Sequence, residues 1–347
     1  MKKTLAALIV TAFAASAANA AVVYDNEGTK VELNGSLRVI MEKADKKEYD
    51  AANHSTKKSN SALRNAGSRF GITVKHNLDN DFYALGRVEF RFDDTTSRDK
   101  FGGVYAKRAY VGLGSKAIGE LKFGRQLTIA DDLTQANDYD YGFIPKEEYI
   151  PTAGTGVVRY DYKGIEGLQL SANYNFGQTN DEKGNPLKPG IKNAYAVGAL
   201  YTVGDLDARL AYGHTNFETG ASYAHRLDGV LATLGYKFGD FTLTGDFAYG
   251  HKKFDDEKTN KFYVAPGFAY QVLPASKVYG NYLYERVKGE NTKDKTHGFL
   301  LGADYQLHKQ VVLFVEGKYV TTKEYVNDTY DGKTKDRAIG VGMRVFF

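Results

Sequence analysis

The chain has 347 residues, with 46 Lys and Arg against 42 Asp and Glu, and this near balance leaves no electrostatic footprint for nucleic acid. The absence of cysteine excludes a disulfide framework and a cysteine metal site. A mean hydropathy of −0.44, with no apolar run long enough to span a bilayer as a helix, excludes a helical membrane protein.

The first element is a leader. Met1-Lys2-Lys3 gives a positive start, an apolar stretch runs from Leu5 to Phe13, and Ala18-Asn19-Ala20 forms a small-x-small cleavage site. The expected organisation is therefore a signal peptide over 1–20 and one unit over 21–347.

From Lys30 onward, alternating segments of about ten residues recur between connections that are short and long by turns, the pattern of transmembrane barrel strands. In one segment Leu168, Leu170, Ala172 and Tyr174 alternate with Gln169, Ser171, Asn173 and Asn175, so one face suits lipid and the other water. The abundance of Tyr and Gly, 26 and 37 residues, fits tyrosine-rich strands with glycine on a crowded face. Strands are expected near 30–43, 67–77, 82–92, 104–113, 119–126, 156–163, 167–176, 193–203, 205–215, 226–238, 240–253, 260–272, 277–288, 296–307, 310–322 and 336–347. The fold class is thus all-β, a 16-stranded antiparallel transmembrane β-barrel. An even strand number places both termini on one side of the membrane, with tight turns such as Asp79-Asn80 and Gly239-Asp240 there. The longer polar links 45–60, 177–192, 216–225, 255–259, 290–295 and 323–335 become external loops. A barrel of this size is too wide for side chains to fill and encloses water. Tyr and Phe at strand ends read as aromatic girdles.

Strand phase points Arg38, Arg69, Arg87, Arg91, Lys107 and Arg159 inward, because Val39, Phe70, Phe90, Ala106 and Val158 face out. Arg108 and Arg125 fall on the outward phase instead. An arginine facing lipid near mid-membrane costs about 2–4 kcal/mol, so these two belong at the rim or against another subunit. For Arg125 a subunit interface is expected, met by acids such as Asp93 or Asp94 of a neighbour.

The connection from Leu127 to Gly156, the third loop, is too long to be a simple link. It carries Asp131, Asp132, Asp138, Asp140, Glu147 and Glu148 with one basic residue, Lys146. Folded into the lumen, it would oppose the basic wall across a narrow gap, and the resulting field would favour polar solutes over apolar ones. The last strand, 336–347, alternates Ile339, Val341, Met343, Val345 and Phe347 against Gly340, Gly342 and Arg344. It must pair with the first strand to close the sheet.

The segments Val31-Glu32-Leu33-Asn34-Gly35, Ser68-Arg69-Phe70-Gly71, Ala109-Tyr110-Val111-Gly112-Leu113, Gly119-Glu120-Leu121-Lys122-Phe123-Gly124-Arg125 and Val158-Arg159-Tyr160-Asp161 resemble, in order, the Gram-negative general porins. Ile129-Ala130-Asp131-Asp132 is similar to the third-loop start of the Pasteurella and Haemophilus major porins. The resemblance implies an outer-membrane homotrimer in which loop three folds inward as the constriction. It also implies lipid and lipopolysaccharide around the barrel, and small hydrophilic solutes passing through it without a cofactor. By position Arg69 and Lys107 match the family's basic wall, Asp138 a loop-three acid, Glu89 a lumen acid and Arg125 an interface arginine. Val345 and Phe347 match the closing strand and the terminal aromatic read by the assembly machinery. The family's Pro-Glu-Phe-Gly-Gly loop signature is absent here. Tyr139-Asp140-Tyr141-Gly142-Phe143 stands near its place, which makes Asp140 the substitute for the second loop acid.

Other readings are weaker. An outer-membrane hydrolase needs Asp with His or Ser with His in one place, whereas the seven histidines are scattered. A calcium loop at Asp138-x-Asp140-x-Gly142 would need an acid at its twelfth position, which is Tyr149. A sugar channel would need a lumen track of aromatics, and only Tyr83, Tyr263 and Tyr279 fall on the inward phase. Passive diffusion through a general pore is the expected function.

Overall fold

The computed structural model describes residues 20–92, 101–218, 225–253 and 257–347. The expected leader lies outside these except for Ala20, and Asp93 and Asp94 lie outside them too.

Every neighbouring pair of wall strands is antiparallel, and the sheet closes on itself as a barrel of sixteen strands. The first wall strand, Thr29–Tyr49, pairs with Ser55–Asn65 along its upper half and with Arg69–Asn77 along its lower half. These two segments form one wall strand, broken at Ala66 to Ser68, where Gly67 adopts φ 81°. The wall continues through Phe82–Phe92, Val104–Ser115, Gly119–Leu127, Ala153–Ile165, Leu168–Asn175 and Pro186–Val203. It is completed by Leu206–Phe217, Arg226–Phe238, Phe241–Lys253, Lys258–Leu273, Ser276–Lys288, Thr292–His308, Val311–Val326 and Thr329–Phe346.

The outward phase carries the apolar residues. Met41, Leu63, Val111, Leu301 and Val341 are each more than half exposed, while their neighbours in sequence turn inward. No water-soluble sheet leaves that much apolar side chain uncovered, but a lipid-facing band requires it.

Closure uses both ends of the sequence. Thr329–Phe346 runs beside Thr29–Tyr49 from Lys333↔Tyr49 to Phe346↔Ser36. Gly35 N–H then donates to Phe347 O at 2.8 Å, and Phe347 N–H donates to Gly35 O at 3.1 Å. Beyond that point a short strand, Ala21–Asn26, turns at Glu27-Gly28 and covers the remaining edge, from Ala21↔Leu33 to Asn26↔Thr29. The sequence reading begins its first strand at residue 30 and does not anticipate this hairpin.

The other correction concerns wall height. Residues 45–60 and 323–335, read as external loops, are mostly strand: the first strand runs to Tyr49, its neighbour restarts at Ser55, and Val326 pairs with Thr329 across a two-residue turn. Likewise the strand Thr292–His308 takes up much of 290–295, and Pro186–Val203 much of 177–192. Charged alternation in these hairpins hides their β-character, because no apolar face marks it. The wall is consequently uneven. It is tall along the first and last strands, of 21 and 18 residues, and low at Gly119–Leu127 and Leu168–Asn175, of 9 and 8 residues.

The Phe347 ring lies over Gly35, where an added Cβ would stand 2.5 Å from the ring and 2.8 Å from the Arg69 carbonyl oxygen. The ring can rotate away but the backbone oxygen cannot. Gly35→Val is therefore expected to lower the temperature at which the refolded barrel loses its compact mobility in unheated electrophoresis by several degrees. Gly317→Val, whose nearest neighbour atom would be 3.5 Å away, should leave it unchanged.

Candidate functional site

Two structures occupy the inner side of the barrel: a group of arginines on one wall, and the segment 128–152 between Gly119–Leu127 and Ala153–Ile165. The arginines surround Glu89, which is 3% exposed. Arg87 Nη2 donates to its carboxylate at 3.0 Å, Arg91 Nε at 2.9 Å, and Arg108 Nη1 stands 3.7 Å away. Arg69 is directly opposite Arg91 across the ladder, and Arg38 is directly opposite Arg344. Like charges facing each other in a sheet destabilise it, so one buried carboxylate among these cations is a structural necessity. Arg38 Nε is further held by Ser36 Oγ at 2.7 Å and Arg69 Nε by Gly67 O at 3.1 Å.

The expected inward positions of Arg38, Arg69, Arg87 and Arg159 agree with this arrangement. Lys107 and Arg108 do not have the expected orientations. A bulge between Glu89 and Phe90 pairs Ala106 with Phe90 and Arg108 with Glu89, leaving Lys107 as the extra residue. The phase is reversed across it. Arg108 and Tyr110 turn inward, while Lys107 follows Ala109 and the exposed Val111 outward and meets the Glu182 carboxylate. Arg125, opposite Ala109, shares that outer side, and its Nη1 donates to Ala106 O at 3.1 Å and Glu182 O at 3.0 Å.

The segment 128–152 begins with Thr128, whose Oγ1 accepts Ala130 N–H and caps the 3-10 turn Ile129–Asp132. From there the wall holds it by carboxylates. Glu316, 1% exposed, accepts the main-chain N–H groups of Tyr139 at 2.7 Å, Asp140 at 2.9 Å and Tyr141 at 2.6 Å, and the Tyr279 hydroxyl at 2.8 Å. Asp246 accepts Thr134 Oγ1 at 2.5 Å and Gln135 N at 3.1 Å. Asp304 accepts the Tyr139 hydroxyl at 2.7 Å, Glu42 that of Tyr141 at 2.9 Å, and Glu285 that of Tyr149 at 2.9 Å. Between these ties lies the apolar core of the molecule. Ile129, Leu133, Tyr149 and Ile150 pack on Ala196, Ala211, Leu231 and Ala248, and Tyr141 packs near Ile40 and Phe314. Wall glycines make room for it: a Cβ on Gly213 would meet Ile150 at 2.5 Å, and one on Gly229 would meet Tyr149 O at 2.2 Å.

The loop acids divide by partner. Asp131 pairs with Lys146 within the segment at 3.5 Å, and Asp132 with Arg159 Nη2 at 2.8 Å. Asp140 meets Arg64, which is also bidentate to Glu42 at 2.9 and 2.8 Å. Asp138 has no ion-pair partner among the described residues, and the residue as a whole is exposed. The wall that encloses it displaces bulk water, and with the negative charge of Glu316 this pushes its carboxyl up to about 6.

Arg64, Arg209, Arg344 and the anchoring acids Asp246, Asp304 and Glu316 were not singled out from sequence. Their signal was present in the alternation, since each is a charged residue on the water-facing phase of a lipid-facing strand. Of the inward tyrosines, Tyr263 and Tyr279 are fully buried, with Tyr263 edge-on to Tyr149 at 5.1 Å and Tyr279 on Glu316. Tyr83 donates to Glu120 at 2.9 Å. These three support the segment and the wall and do not line an open stacking track.

Residues 4–325 match the family model described as Gram-negative porin. The chain is 32% identical to the major outer membrane protein of Pasteurella multocida strain Pm70, over the full length of both. Among solved structures it is similar to OmpT of Vibrio cholerae in its trimer form, with TM-score 0.70, 18% identity, and 92% of this chain and 100% of that one covered. It is also similar to the anion-selective porin from Comamonas acidovorans, with TM-score 0.69, 20% identity and the same coverage.

Loss of Glu316 would strand three main-chain donors, at about 1.5–3 kcal/mol for each bond to a charged group. Lys146 is the segment's one basic residue and hence its one tryptic site. Glu316→Ala is expected to open rapid trypsin cleavage after Lys146, where the parent protein resists. Equal resistance would mean that the packing of Ile129, Leu133 and Ile150 alone secures the segment.

Proposed function

The chain belongs to the Gram-negative porin family and is an outer-membrane channel, and from that premise we propose that its passage is narrowest where the segment 128–152 faces the arginines around Glu89. The observation that carries this reading is the grip of Glu316 on residues 139–141. It supports a segment fixed within the barrel near Arg344, whose guanidinium carbon lies 4.6 Å from the Tyr139 ring centre. Solutes move down their own gradients, with no chemical step and no cofactor. Exclusion follows from width and field: the guanidiniums of Arg38, Arg69, Arg87 and Arg108 line one side, and the free carboxylate of Asp138 lies on the other. Asp131, Asp132 and Asp140 shape the segment through their ion pairs more than they face the passage. Oily solutes lose water contacts among such charges and gain nothing in return.

The protein works as a homotrimer in this reading, supported by the trimer form of the Vibrio relative. Arg125, Lys107 and the segment 178–184 then form an outward contact with a neighbouring subunit, because guanidinium and ammonium groups there are unsuited to hydrocarbon. Export by a leader cleaved after Ala20, and recognition of Val345 and Phe347 by the outer-membrane assembly machinery, complete the proposal.

Reversal potentials across a planar bilayer under a salt gradient test the constriction. Arg69→Ala should raise relative cation permeability, and Asp138→Asn should lower it. Because the Asp138 carboxyl is pushed up to about 6, its charge is present at pH 7.5 and lost as pH falls below that value. Cation permeability of the parent channel should therefore drop between pH 7.5 and 5, with a much smaller change in Asp138→Asn. Unchanged potentials in both variants would remove these residues from the narrowest point. For the trimer, Arg125→Leu should lower the temperature at which the oligomer dissociates in unheated electrophoresis, and an equally stable oligomer would place the subunit contact elsewhere.

A further inference from the structure

Among the described residues, every ladder of the wall but one joins strands that follow each other in the sequence, and the connection between them limits how far they can slide. The exception is the closing seam between Thr329–Phe346 and Thr29–Tyr49, whose partners have nearly the whole chain between them. On its lipid side Val341, Met343 and Val345 face Met41, Val39 and Leu37. A slip of two residues would leave all of these on the outer face with apolar residues still opposed. On the inner side Gly340 and Gly342 offer no side chain to a partner. Arg344 directly opposes Arg38, and like charges so placed weaken a ladder. A two-residue slip would relieve this by setting Arg344 opposite Ile40 or Ser36. At the lower end the Phe347 ring over Gly35 marks the observed register. At the upper end the pair Arg337–Asp45, at 2.9 Å, is too exposed to add much. The middle of the seam carries no mark of its own.

The tip of the segment 128–152 supplies one. Glu316, Gly340 and Glu42 form a row across three adjacent strands, on the inner face. Tyr141 lies over the middle of this row, since a Cβ on Gly340 would stand 2.5 Å from its hydroxyl oxygen. Its N–H donates to Glu316 Oε1 at 2.6 Å and its hydroxyl to Glu42 Oε2 at 2.9 Å. One residue thereby spans from the penultimate strand to the first. In the next row Phe314 covers Gly342, and the Tyr139 ring stacks on Phe314 at 4.6 Å. Arg344 donates to the Tyr139 carbonyl oxygen, which offsets the opposed Arg38. Arg64, opposite Ile40 on the neighbouring strand, joins Glu42 to Asp140.

We infer that Tyr139 to Tyr141 have a second function, to set the register in which the barrel closes. Glu316 and Glu42 both reach Tyr141 only while Gly340 lies between them. A slip of two residues would bring Ile40 or Ala44 to the place of Glu42 and leave the Tyr141 hydroxyl against an alkyl group. A slip at the seam also changes the stagger of the whole sheet, and with it strand tilt. The segment that crosses the lumen therefore determines which of several lipid-compatible barrels forms. The inference stands on the closure of the wall and is independent of where the passage is narrowest.

The chain has no cysteine, so introduced pairs report the register. Directly opposed residues lie within disulfide reach, whereas residues two out of step are about 7–8 Å apart and do not bridge readily. Met41→Cys/Val341→Cys opposes two cysteines in the observed register. Met41→Cys/Met343→Cys and Met41→Cys/Ile339→Cys do so only after a slip of two. Each pair is refolded in detergent, oxidised, and read by mobility after full denaturation without reductant. With the tip intact, only the first pair should bridge. Adding Tyr141→Ala/Glu316→Gln should raise bridging of the slipped pairs, relative to the first, at least tenfold. Ile150→Ala loosens the segment at its other end and should leave the ratio as in the parent. The turn-linked pair Ala303→Cys/Val315→Cys should bridge equally in all backgrounds. An unchanged ratio in Tyr141→Ala/Glu316→Gln overturns the inference. So does an equal rise in Ile150→Ala or a loss at the turn-linked pair, since either would mean general loosening of the wall. If the double variant does not refold, Tyr141→Phe carries the comparison with an expected rise of at least threefold, and no rise there overturns the inference as well.

Discussion

Hydrocarbon offers no partner to a main-chain N–H or C=O, so a sheet that meets lipid has to satisfy every such group within itself. That requirement explains why both ends of the sequence converge. The last residue meets Gly35, and the hairpin Ala21–Asn26 takes over the edge of the first strand where Phe347 leaves off. A ring of sixteen strands is wide, however, and its own side chains do not fill it. The tight apolar packing found between sheets in soluble proteins occurs here between one long segment and the inner wall, around Ile129, Leu133, Tyr149 and Ile150. The outside of the barrel is oily for lipid, and the inside is partly oily for a single loop.

Charge does two separate tasks on the two sides of that interior. Acids of the strands Phe241–Lys253, Thr292–His308 and Val311–Val326 receive hydrogen bonds from the loop and fix its path. Arginines of the strands Phe82–Phe92 and Val104–Ser115 gather around Glu89, with Arg69 of Arg69–Asn77 opposite Arg91. The two sets are complementary in position as well as sign. Loop and wall also meet through a direct ion pair, where Asp132 of the segment stands 2.8 Å from Arg159 of the strand Ala153–Ile165.

The strand phases were legible because lipid on one face makes alternation nearly obligatory, and Leu168 to Asn175 can be read without any coordinates. The same logic located Arg38, Arg69, Arg87 and Arg159 on the inside. It failed at Lys107 and Arg108 because a single inserted residue inverts everything beyond it, and a bulge leaves no mark in composition. The hairpins above the membrane were unreadable for the opposite reason. With water on both sides, Lys43 to Tyr49 and Thr329 to Lys335 carry no apolar period. The grip of Glu316 on the loop joins residues 175 to 177 positions apart, and nothing local announces such a pairing.

The way Glu316 holds the segment has an evolutionary consequence. Its carboxylate reads the main chain of residues 139–141, which every residue type except proline supplies. The side chain at 138 can therefore change while the main chain of the loop keeps its hydrogen bonds to the wall, whereas the side chain at 140 is tied to Arg64. The charge at 138 is in this way separate from the hydrogen bonds that hold the loop.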